Sequence, residues 1–464
     1  MKLILLSGGS GKRLWPLSND ARSKQFLRML EGPEGRKESM VERVWRQLGE
    51  SGVRESAYIA TGQAQEELLR AHVGPDVPLI VEPSRRDTFP AIALSAVYLY
   101  SIVGVSLEET VAVLPVDPYV EDSFFRRVSE LEHVLTRSGC DMALMGVTPT
   151  YPSAKYGYIV PESDPAAAAG NPAETEAGTC ASSRVRRFTE KPDEAAAAAL
   201  IADGALWNCG VFAFKLGYLI QLLIDRGLPI HYDGLQQQYE RLKKTSFDYE
   251  VVEQAAHIEV LRYDGYWKDL GTWNTLTEEM TSPLLGEGRM TEDCRNTHVL
   301  NELGIPIAVL GLSNVVVAAS PDGILVADKA ASPRIKEIMQ HDDRRPMYEE
   351  RRWGHYLVLD QVQHADGTSA MTKRVCLEAG RHFSYHFHTD RSEVWTVISG
   401  RGEMILDGAS RQLQAGDVAI IPVRAAHTLK AHTDMQLIEV QRGVRLVEED
   451  IVRLGTEWSS IIQF

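Results

Sequence analysis

The chain has 464 residues, 44% of them hydrophobic and 24% charged, an ordinary composition for a globular protein that predicts two or three domains. Its formal net charge of -15 disfavours binding to nucleic acid, because phosphate backbones attract basic surfaces. The five cysteines are odd in number and form no CxxC pair, which favours reduced thiols in a cytoplasmic protein over a disulfide framework.

Up to about Thr281, short apolar runs alternate with helical stretches. The run Leu3 to Leu6 is too short for a secretory signal and predicts a buried strand, and no run of about 18 apolar residues predicts a membrane span. Further strand-like runs are SAYIAT, TVAVLPV and DMALMGV, and helix-like segments are SMVERVWRQLGE and FPAIALSAVYLYSIV. This alternation predicts an α/β domain over residues 1–281 with a mainly parallel sheet.

Two segments of this first domain carry local signals. Residues 164–183 are rich in Ala, Gly, Pro, Thr and Glu and contain no aromatic residue, which predicts a mobile loop. Farther on, Pro192 and Asp193 are expected to open an Ala-rich helix that stops at Gly204.

The second part of the chain is rich in β-like pieces. Residues 282–345 include IPIAVLGL, NVVVAAS and GILVAD and predict a short β-rich connector, followed by a charged stretch, HDDRRPMYEERR, that resembles a linker. Over residues 346–464, runs such as VWTVISG, GEMILDG and GDVAIIP predict an all-β barrel.

A glycine-rich loop, SGGSGKRLWPLS, directly follows the first strand. Its glycines allow backbone amides to approach a phosphate closely, and a cation there neutralises charge. Two familiar phosphate loops do not fit: a P-loop needs Gly where Leu6 stands, and a dinucleotide-binding loop needs Gly where Leu14 stands. Taken alone, the loop is also compatible with a simple turn.

The stretch GGSGKRLWPLS, followed by SKQF, resembles the signature of sugar nucleotidylyltransferases, especially the mannose-1-phosphate guanylyltransferases. The resemblance implies a Rossmann-like nucleotidyltransferase domain, with Arg13 and Lys24 on the nucleotide triphosphate. It implies that the loop binds the nucleotide through Gly8, Gly9, Ser10, Gly11, Lys12 and Arg13. The departures are Ser7 for Ala, Lys12 for Thr and Ser23 for Pro.

Six further segments follow in the family's order and extend the resemblance over about 280 residues. EPSRRDT corresponds to base recognition, through Glu82, Arg86 and Thr88. LPVD and YWKDLGTW supply the magnesium ligands Asp117 and Asp269, although Pro118 replaces the usual His. PTYPSAKYGYI, FTEKP and WNCGVF lie over the sugar and its phosphate, and they contribute Gly157, Glu190, Lys191 and Asn208.

The reaction explains why these residue types are needed. A sugar-phosphate oxygen attacks the α-phosphorus of a nucleoside triphosphate, so two anions must meet. The candidate catalytic groups supply or hold positive charge: Mg²⁺ on Asp117 and Asp269, with Arg13, Lys24 and Lys191. The resemblance implies GTP and mannose 1-phosphate as substrates. An isolated Asp117 would equally suit a helix cap.

The barrel region carries a second set of candidate ligands. His386 and His388 are two residues apart, so both rings face one side of a strand. With Glu393 and His427 they have the spacing of the two cupin motifs and predict a three-His, one-carboxylate site for Zn, Fe, Mn or Ni. A lone HxH is more often surface or core, and Arg424 stands where cupins usually have Gly.

The segments RRWGHY, DRSEVW, IEVQRG and EEDIVRL resemble the isomerase half of bifunctional mannose-1-phosphate guanylyltransferase/mannose-6-phosphate isomerase enzymes. The resemblance makes Arg391 a candidate isomerase residue. The departures are His386 for Gln and HFS for KLS. Three interpretations stay open: a bifunctional enzyme, a transferase whose cupin only binds metal, regulates or forms a homodimer, and a transferase for another sugar phosphate or base.

Overall fold

The computed structural model of the chain describes residues 1–464 except 10, 20, 163–181, 340–343, 448–449, 457 and 462–464. Its internal contacts divide it into two units. The first comprises Met1–Leu14 and Ser23–Thr281, and the second comprises Trp15–Arg22 and Ser282–Phe464. A short piece of the glycine-loop region therefore groups with the C-terminal half. Among the described residues, no helix is long and apolar enough to cross a membrane.

The first unit mixes helices and strands along the chain. In chain order they are β1 (Lys2–Ser7), β2 (Leu30–Glu31), β3 (Lys37–Glu38), α1 (Met40–Glu50), β4 (Ala57–Gly62), α2 (Glu66–Val73), β5 (Leu79–Glu82), α3 (Thr88–Tyr98), β6 (Thr110–Pro115), β7 (Pro118–Val120), α4 (Ser123–Ser138), β8 (Met142–Val147), β9 (Tyr158–Pro161), β10 (Ser182–Thr189), α5 (Glu194–Ala202), β11 (Leu206–Lys215), α6 (Leu216–Asp225), α7 (Tyr232–Gln237), α8 (Phe247–Glu250), β12 (Ile258–Tyr263), β13 (Trp267–Asp269) and α9 (Trp273–Glu278).

Local sequence explains where the predicted helices begin. Ser39 caps α1 in a capping box, in which its hydroxyl accepts from the Glu42 amide and the Glu42 carboxylate accepts from the Ser39 amide. Asp193 caps α5 by accepting from the Ala196 amide, which confirms the expected Ala-rich helix.

A nine-stranded sheet forms the centre of the first unit, in the order β5-β4-β1-β6-β11-β8-β12-β10-β9. The pairings β5–β4–β1–β6 and β8–β12 are parallel, whereas β11 and β10 run antiparallel to their neighbours. Most strands therefore share one direction, as expected, and two reversed strands make the sheet mixed.

Both faces of the sheet are covered by apolar packing. Leu3 and Leu5 of β1 belong to a core that includes α1 and α4, and Ile4 between them belongs to a second core with α3 and α6. This alternation is the period of two that a strand imposes on a sheet with helices on both faces. The sheet leaves the ends of β1 and β6 open to the loops that carry the candidate site.

The second unit is mainly β. Its elements are β14 (Leu284–Leu285), β15 (Gly288–Met290), β16 (His298–Asn301), β17 (Ile307–Val309), β18 (Val315–Ser320), β19 (Gly323–Asp328), α10 (Ile335–Ile338), β20 (Tyr348–Arg351), β21 (Gly354–Gln363), β22 (Ser369–Leu377), β23 (Tyr385–Phe387), β24 (Arg391–Ser399), β25 (Arg401–Leu406), β26 (Ala409–Gln414), β27 (Val418–Ile421), β28 (His427–Ala431), β29 (Met435–Gly443), β30 (Val452–Gly455) and α11 (Trp458–Ile461).

The strands of the second unit form a connector and a barrel. In the connector, β14-β16-β18-β19 form one small sheet and β15-β17 another. The barrel has a six-stranded sheet, β20-β21-β22-β29-β24-β27, and a five-stranded sheet, β26-β25-β28-β23-β30. Its core includes Val375, Trp395, Leu429 and Leu437. The expected all-β barrel is therefore confirmed.

Two expectations about connecting segments need correction. The charged stretch HDDRRPMYEERR is not a linker throughout, because Tyr348–Arg351 forms β20 and pairs with β21. Buried Glu349 lies inside that strand, so its charge hid the strand signal. The loop expected over 164–183 lies mostly outside the described residues, and its last two residues, Ser182 and Ser183, already belong to β10.

Candidate active site and metal centre

A pocket of about 220 Å³ opens in the first unit beside the ends of β6 and β13. Its lining contains the predicted residues Arg13, Lys24, Asp117, Asn208 and Asp269. The short pairing of β7 with β13 places Pro118 opposite Asp269, and so brings the two aspartates together from positions 152 residues apart. The structure therefore assembles the predicted acids and cations at one place.

Lys24 lies between the two predicted magnesium ligands. Its Nζ is 2.7 Å from Asp117 Oδ2 and 3.2 Å from Asp269 Oδ1. Burial opposes the charge on this ammonium, but the two carboxylates outweigh burial and raise the pKa of Lys24 above its usual value. One cation thus reaches both acids. Carboxylate oxygens are ligands that Mg²⁺ prefers, so the donor set fits that ion.

The glycine loop approaches this pocket through Arg13, which lies in a 3-10 turn, Gly11–Leu14. Gly9 has a φ of 127°, a conformation that favours glycine, and both Gly8 and Gly9 are exposed. The Ser23 hydroxyl donates to the Gly9 carbonyl at 3.3 Å and ties the loop to the segment before Lys24. Ser10 lies outside the described residues.

The predicted sugar-phosphate lysine is paired with its neighbour. Lys191 Nζ is 2.6 Å from Glu190 Oε1, and Lys191 is about half exposed, so the ammonium is accessible. Burial lowers the pKa of Lys191, but Glu190 outweighs it and raises that pKa. Gly157 makes room for this arrangement, because a Cβ there would overlap Glu190 Oε2. Gly157 therefore admits the Glu190 carboxylate.

Asp248 is a residue that the sequence did not reveal. Asn208 Nδ2 donates to Asp248 Oδ1 at 2.7 Å. Burial, together with the charge of Glu190, raises the pKa of Asp248 to about 7. Glu190 Oε2 is itself buried and has no hydrogen-bond partner within the described part of the chain. Asp248, Asn208, Glu190 and Lys191 thus form a polar cluster suited to hydroxyl and phosphate groups.

The predicted base-recognition residues are held by residues 239–247 and do not line the described pocket. The Tyr239 hydroxyl donates to Glu82 at 2.6 Å, and burial raises the pKa of Glu82. Arg86 donates to the Leu242 carbonyl at 2.8 Å, and Thr88 Oγ1 accepts from the Phe247 amide. In this structure the three residues orient the start of α3.

In the barrel, three buried imidazoles converge. The candidate ligand atoms of His386, His388 and His427 all lie within 4.8 Å of one another. Each Nδ1 faces a backbone carbonyl. That of His386 lies 2.7 Å from the Ser384 oxygen, that of His427 lies 2.9 Å from the Ala425 oxygen, and that of His388 contacts the Asp450 oxygen. Donation from Nδ1 fixes the tautomer and leaves the lone pair of each ring on Nε2, the atom a metal would use, although Nε2 of His388 also lies 3.3 Å from Arg391 Nη2.

Protonation is also suppressed at His386. Burial, reinforced by His427 and His388, lowers the pKa of His386 to about 3. His427 Nε2 is buried and has no hydrogen-bond partner among the described residues. The neutral His386 imidazole and the unpartnered His427 nitrogen fit a transition metal.

Glu393, the fourth predicted ligand, lies beside two of these rings. Its Oε1 is 3.1 Å from His388 Nε2, and its Oε2 is 3.6 Å from His427 Nε2. Arg391 Nε and Trp395 Nε1 donate to the two oxygens at 3.0 and 3.1 Å. Burial would raise the pKa of Glu393, but the two imidazoles hold it well below its usual value. The carboxylate is therefore shared between the rings and the isomerase candidate Arg391.

Two more features of the barrel lie outside the ligand set, of which the sequence indicated only the first. Arg424 has a φ of 67°, which explains why cupins usually place Gly there. Glu439 and Gln441 are buried on β29, and Gln441 Nε2 also lies 3.4 Å from Glu393 Oε1. Burial, with the charge of Glu393, raises the pKa of Glu439 to about 7. Strand alternation alone would have placed both residues in the interior, but their charge and polarity argued against it.

A pocket with paired acids and cations at a sheet edge, followed in the same chain by a barrel with converging imidazoles, defines a nucleotidyltransferase that carries a cupin barrel. The family models agree with this class: residues 2–283 match Nucleotidyl transferase, and residues 338–456 match Mannose-6-phosphate isomerase C-terminal. The chain belongs to the nucleotidyl transferase family, in the group that carries this C-terminal domain.

Relatives resemble this chain over its whole length. It is 30% identical to the Xanthan biosynthesis protein XanB of Xanthomonas campestris pv. campestris, over 97% of both chains. It is 28% identical to the Mannose-1-phosphate guanylyltransferase of Escherichia coli, over 99% of this chain and 98% of that protein. The crystal structure of mannose-1-phosphate geranyltransferase from Thermus thermophilus is 29% identical, with a TM-score of 0.60 over 74% of this chain and 99% of that one.

Proposed function

We propose that this chain transfers the guanylyl group of GTP to mannose 1-phosphate, which yields GDP-mannose and pyrophosphate. The observation that carries the proposal is the shared contact of Lys24 with Asp117 and Asp269 in a pocket that also contains Arg13. The name of the Escherichia coli relative supports the choice of substrates.

The reaction needs orientation and positive charge rather than a protein nucleophile. A phosphate oxygen of mannose 1-phosphate attacks the α-phosphorus of GTP. The bond between the α-phosphorus and the oxygen that bridges to the β-phosphorus breaks, and pyrophosphate leaves. Arg13 and Lys24 bind the triphosphate, and the loop amides of Gly8 and Gly9 support it. Mg²⁺, which Asp117 and Asp269 would hold, supplies further positive charge to the phosphates when it is bound.

The polar cluster around Asp248 is assigned to the sugar. Lys191 is a point charge that suits the sugar phosphate, and the half-exposed ammonium is available for it. Asn208 and Asp248 are already oriented by their mutual hydrogen bond, so they present fixed groups to the sugar hydroxyls. We also propose that the enzyme acts in the cytoplasm, requires no nucleic acid or membrane, and forms a homodimer.

A matrix of substrates tests the proposal. Four nucleoside triphosphates are each combined with mannose 1-phosphate and glucose 1-phosphate, with Mg²⁺, and pyrophosphate release is measured. We expect the highest kcat/KM for GTP with mannose 1-phosphate. A higher kcat/KM for another pair would replace the substrates, and no release by any pair from folded protein would overturn the proposal.

A second activity is favoured by the three converging imidazoles. We propose that the cupin binds one transition metal, Zn, Mn, Fe or Ni, through His386, His388 and His427, with Glu393 beside them. Such a centre suits aldose–ketose isomerisation of mannose 6-phosphate, in which a proton moves between C1 and C2. A coupled assay of fructose 6-phosphate formation tests this, and a metal-loaded but inactive protein would favour a cupin that only binds metal.

A further inference from the structure

A separate pocket of about 480 Å³ lies in the second unit, away from the interior histidines. It opens on the outer face of the six-stranded sheet, where Arg374 and Cys376 of β22 alternate with buried Lys373, Val375 and Leu377. Arg22 and Glu302 close its other side. No step of the proposed reactions uses these outward-facing residues.

Cys376 occupies the middle of a row of polar side chains that crosses four strands. In the ladder, Glu350 of β20 is paired with His355 of β21, His355 with Cys376 of β22, and Cys376 with Gln436 of β29. His355 is the direct cross-strand neighbour of Cys376 and lines the same pocket, and Gln436 Nε2 donates to Cys376 Sγ at 3.6 Å. Cross-strand neighbours on one face are in direct contact, so the row holds the sulfur between two polar groups.

The charges around the pair favour an ionised thiol. The hydrogen bond from His355, against some desolvation, lowers the pKa of Cys376, with smaller contributions from Gln436 and Arg374. The thiol in turn raises the pKa of His355, and Glu350 and Glu378 raise it further. Arg22 is paired with Glu302 and Glu350 on the facing side, and Tyr348 lies over the imidazole at 5.5 Å.

Cys140 provides a contrast within the same chain. Both thiols are partly buried, but burial and the charge of Glu259 raise the pKa of Cys140, whereas that of Cys376 is lowered. Because the thiolate is the nucleophile, and an ordinary thiol is only a few per cent ionised at neutral pH, an imidazole partner changes reactivity more than exposure does.

We propose that Cys376 is a modification site, a nucleophilic thiolate paired with His355 that is oxidised by hydroperoxides entering this pocket. The sulfur attacks the distal peroxide oxygen, the O–O bond breaks, and an S–O bond forms. The leaving oxygen takes a proton from the His355 imidazolium and departs as water or an alcohol. The sulfur is oxidised by two electrons to a sulfenic acid, and the peroxide is reduced by the same two.

Labelling of the full-length protein tests the site. The protein is treated with hydrogen peroxide at pH 7 in the presence of dimedone, and peptide mass spectrometry quantifies adducts at Cys376, Cys140 and Cys294. We expect Cys376 to be labelled at least about fivefold faster than Cys140. His355→Gln should reduce labelling of Cys376 to the rate of Cys140 and leave Cys294 unchanged, since Cys294 bonds to Thr291 and the Val309 carbonyl instead.

A second measurement on the unmodified sequence does not depend on the folding of the variant. The rate of alkylation by iodoacetamide is followed against pH at each thiol, and its midpoint should lie at lower pH for Cys376 than for Cys140. Equal labelling of the two cysteines, or a midpoint for Cys376 at or above that of Cys140, would overturn the proposal. So would folded His355→Gln protein with unchanged labelling of Cys376.

Discussion

The transferase pocket and the histidine cluster differ in how their binding side chains are held before a ligand is bound. In the pocket, Lys24, Asp117 and Asp269 are 16%, 28% and 33% exposed and neutralise one another. In the barrel, His388 and His427 are 2% and 0% exposed. Their Nδ1 atoms face carbonyls, and their Nε2 atoms lie 3.1 and 3.6 Å from the carboxylate oxygens of Glu393.

The difference follows from what each centre binds. Anionic substrates arrive and leave, so a pocket of partly exposed, mutually paired charges can exchange one partner for another. A resident metal stays, so the fold can bury its ligands and fix their tautomers in advance. The pocket is therefore expected to be sensitive to single charges, and the barrel to the loss of a single ring.

Removal of one acid from the pocket should have the largest effect. Asp117→Ala or Asp269→Ala leaves Lys24 with one carboxylate and removes a proposed Mg²⁺ ligand, so kcat for pyrophosphate release should fall by about a thousandfold. Asp264→Ala, at an exposed aspartate, is the matched control. Near wild-type turnover in both pocket variants, with thermal unfolding unchanged, would contradict the assignment.

Loss of one ring should affect only the barrel. His427→Gln removes a fully buried imidazole, so metal content should fall from about one per chain to near zero and affinity by at least about a hundredfold. Pyrophosphate release should be unchanged. The comparison variant is His364→Gln, at an exposed position, and equal metal content in the two proteins would count against the site.

Lys24 of the pocket and Lys191 of the Asp248 cluster should act on different substrates. Lys191→Ala should raise the KM for mannose 1-phosphate by about thirtyfold and that for GTP much less, because its ammonium lies in the Asp248 cluster. Lys24→Ala should show the opposite bias. Lys243→Ala, on the surface, serves as control. Steady-state kinetics that show equal changes for both substrates would remove this division of roles.

Asp248 should give the first unit a measurable dependence of stability on pH. Its pKa is near 3.8 in the unfolded chain and about 7 in the fold, so the folded state retains a proton that the unfolded state releases. Stability from this group is present below about pH 4 and is lost as pH rises to 7. Asp248→Asn should therefore become more stable relative to wild type, by up to about 4 kcal/mol, between pH 4 and pH 8.

Urea unfolding at the two pH values measures this difference. Asp264→Asn, at an exposed position, should show no such trend. A constant difference between wild type and Asp248→Asn across this range would mean that Asp248 is ionised in the fold.

Much of the fold followed from local signals, and the site only in part. Caps at Ser39 and Asp193 mark real helix starts, since capping is a property of a few adjacent residues. Asp248 gave no signal, because its role depends on contact with Asn208, 40 residues away. The strand Tyr348–Arg351 was hidden because its charged residues conceal the alternation that strand prediction uses.

The grouping of Trp15–Arg22 with the second unit could not be read from the sequence either. It depends on contacts hundreds of residues distant, such as that of Arg22 with Glu302. The roles proposed for Glu82, Arg86 and Thr88, and the boundary at 345/346, stay predictions.

The claim that the two centres work independently is tested most directly by measuring the transferase rate with and without the transition metal. Pyrophosphate release from GTP and mannose 1-phosphate is recorded before and after a chelator removes the transition metal, with Mg²⁺ restored in both cases. We predict the same rate, because the acids of the pocket and the imidazoles of the barrel belong to different units. A rate that falls in proportion to the transition metal removed would contradict the account.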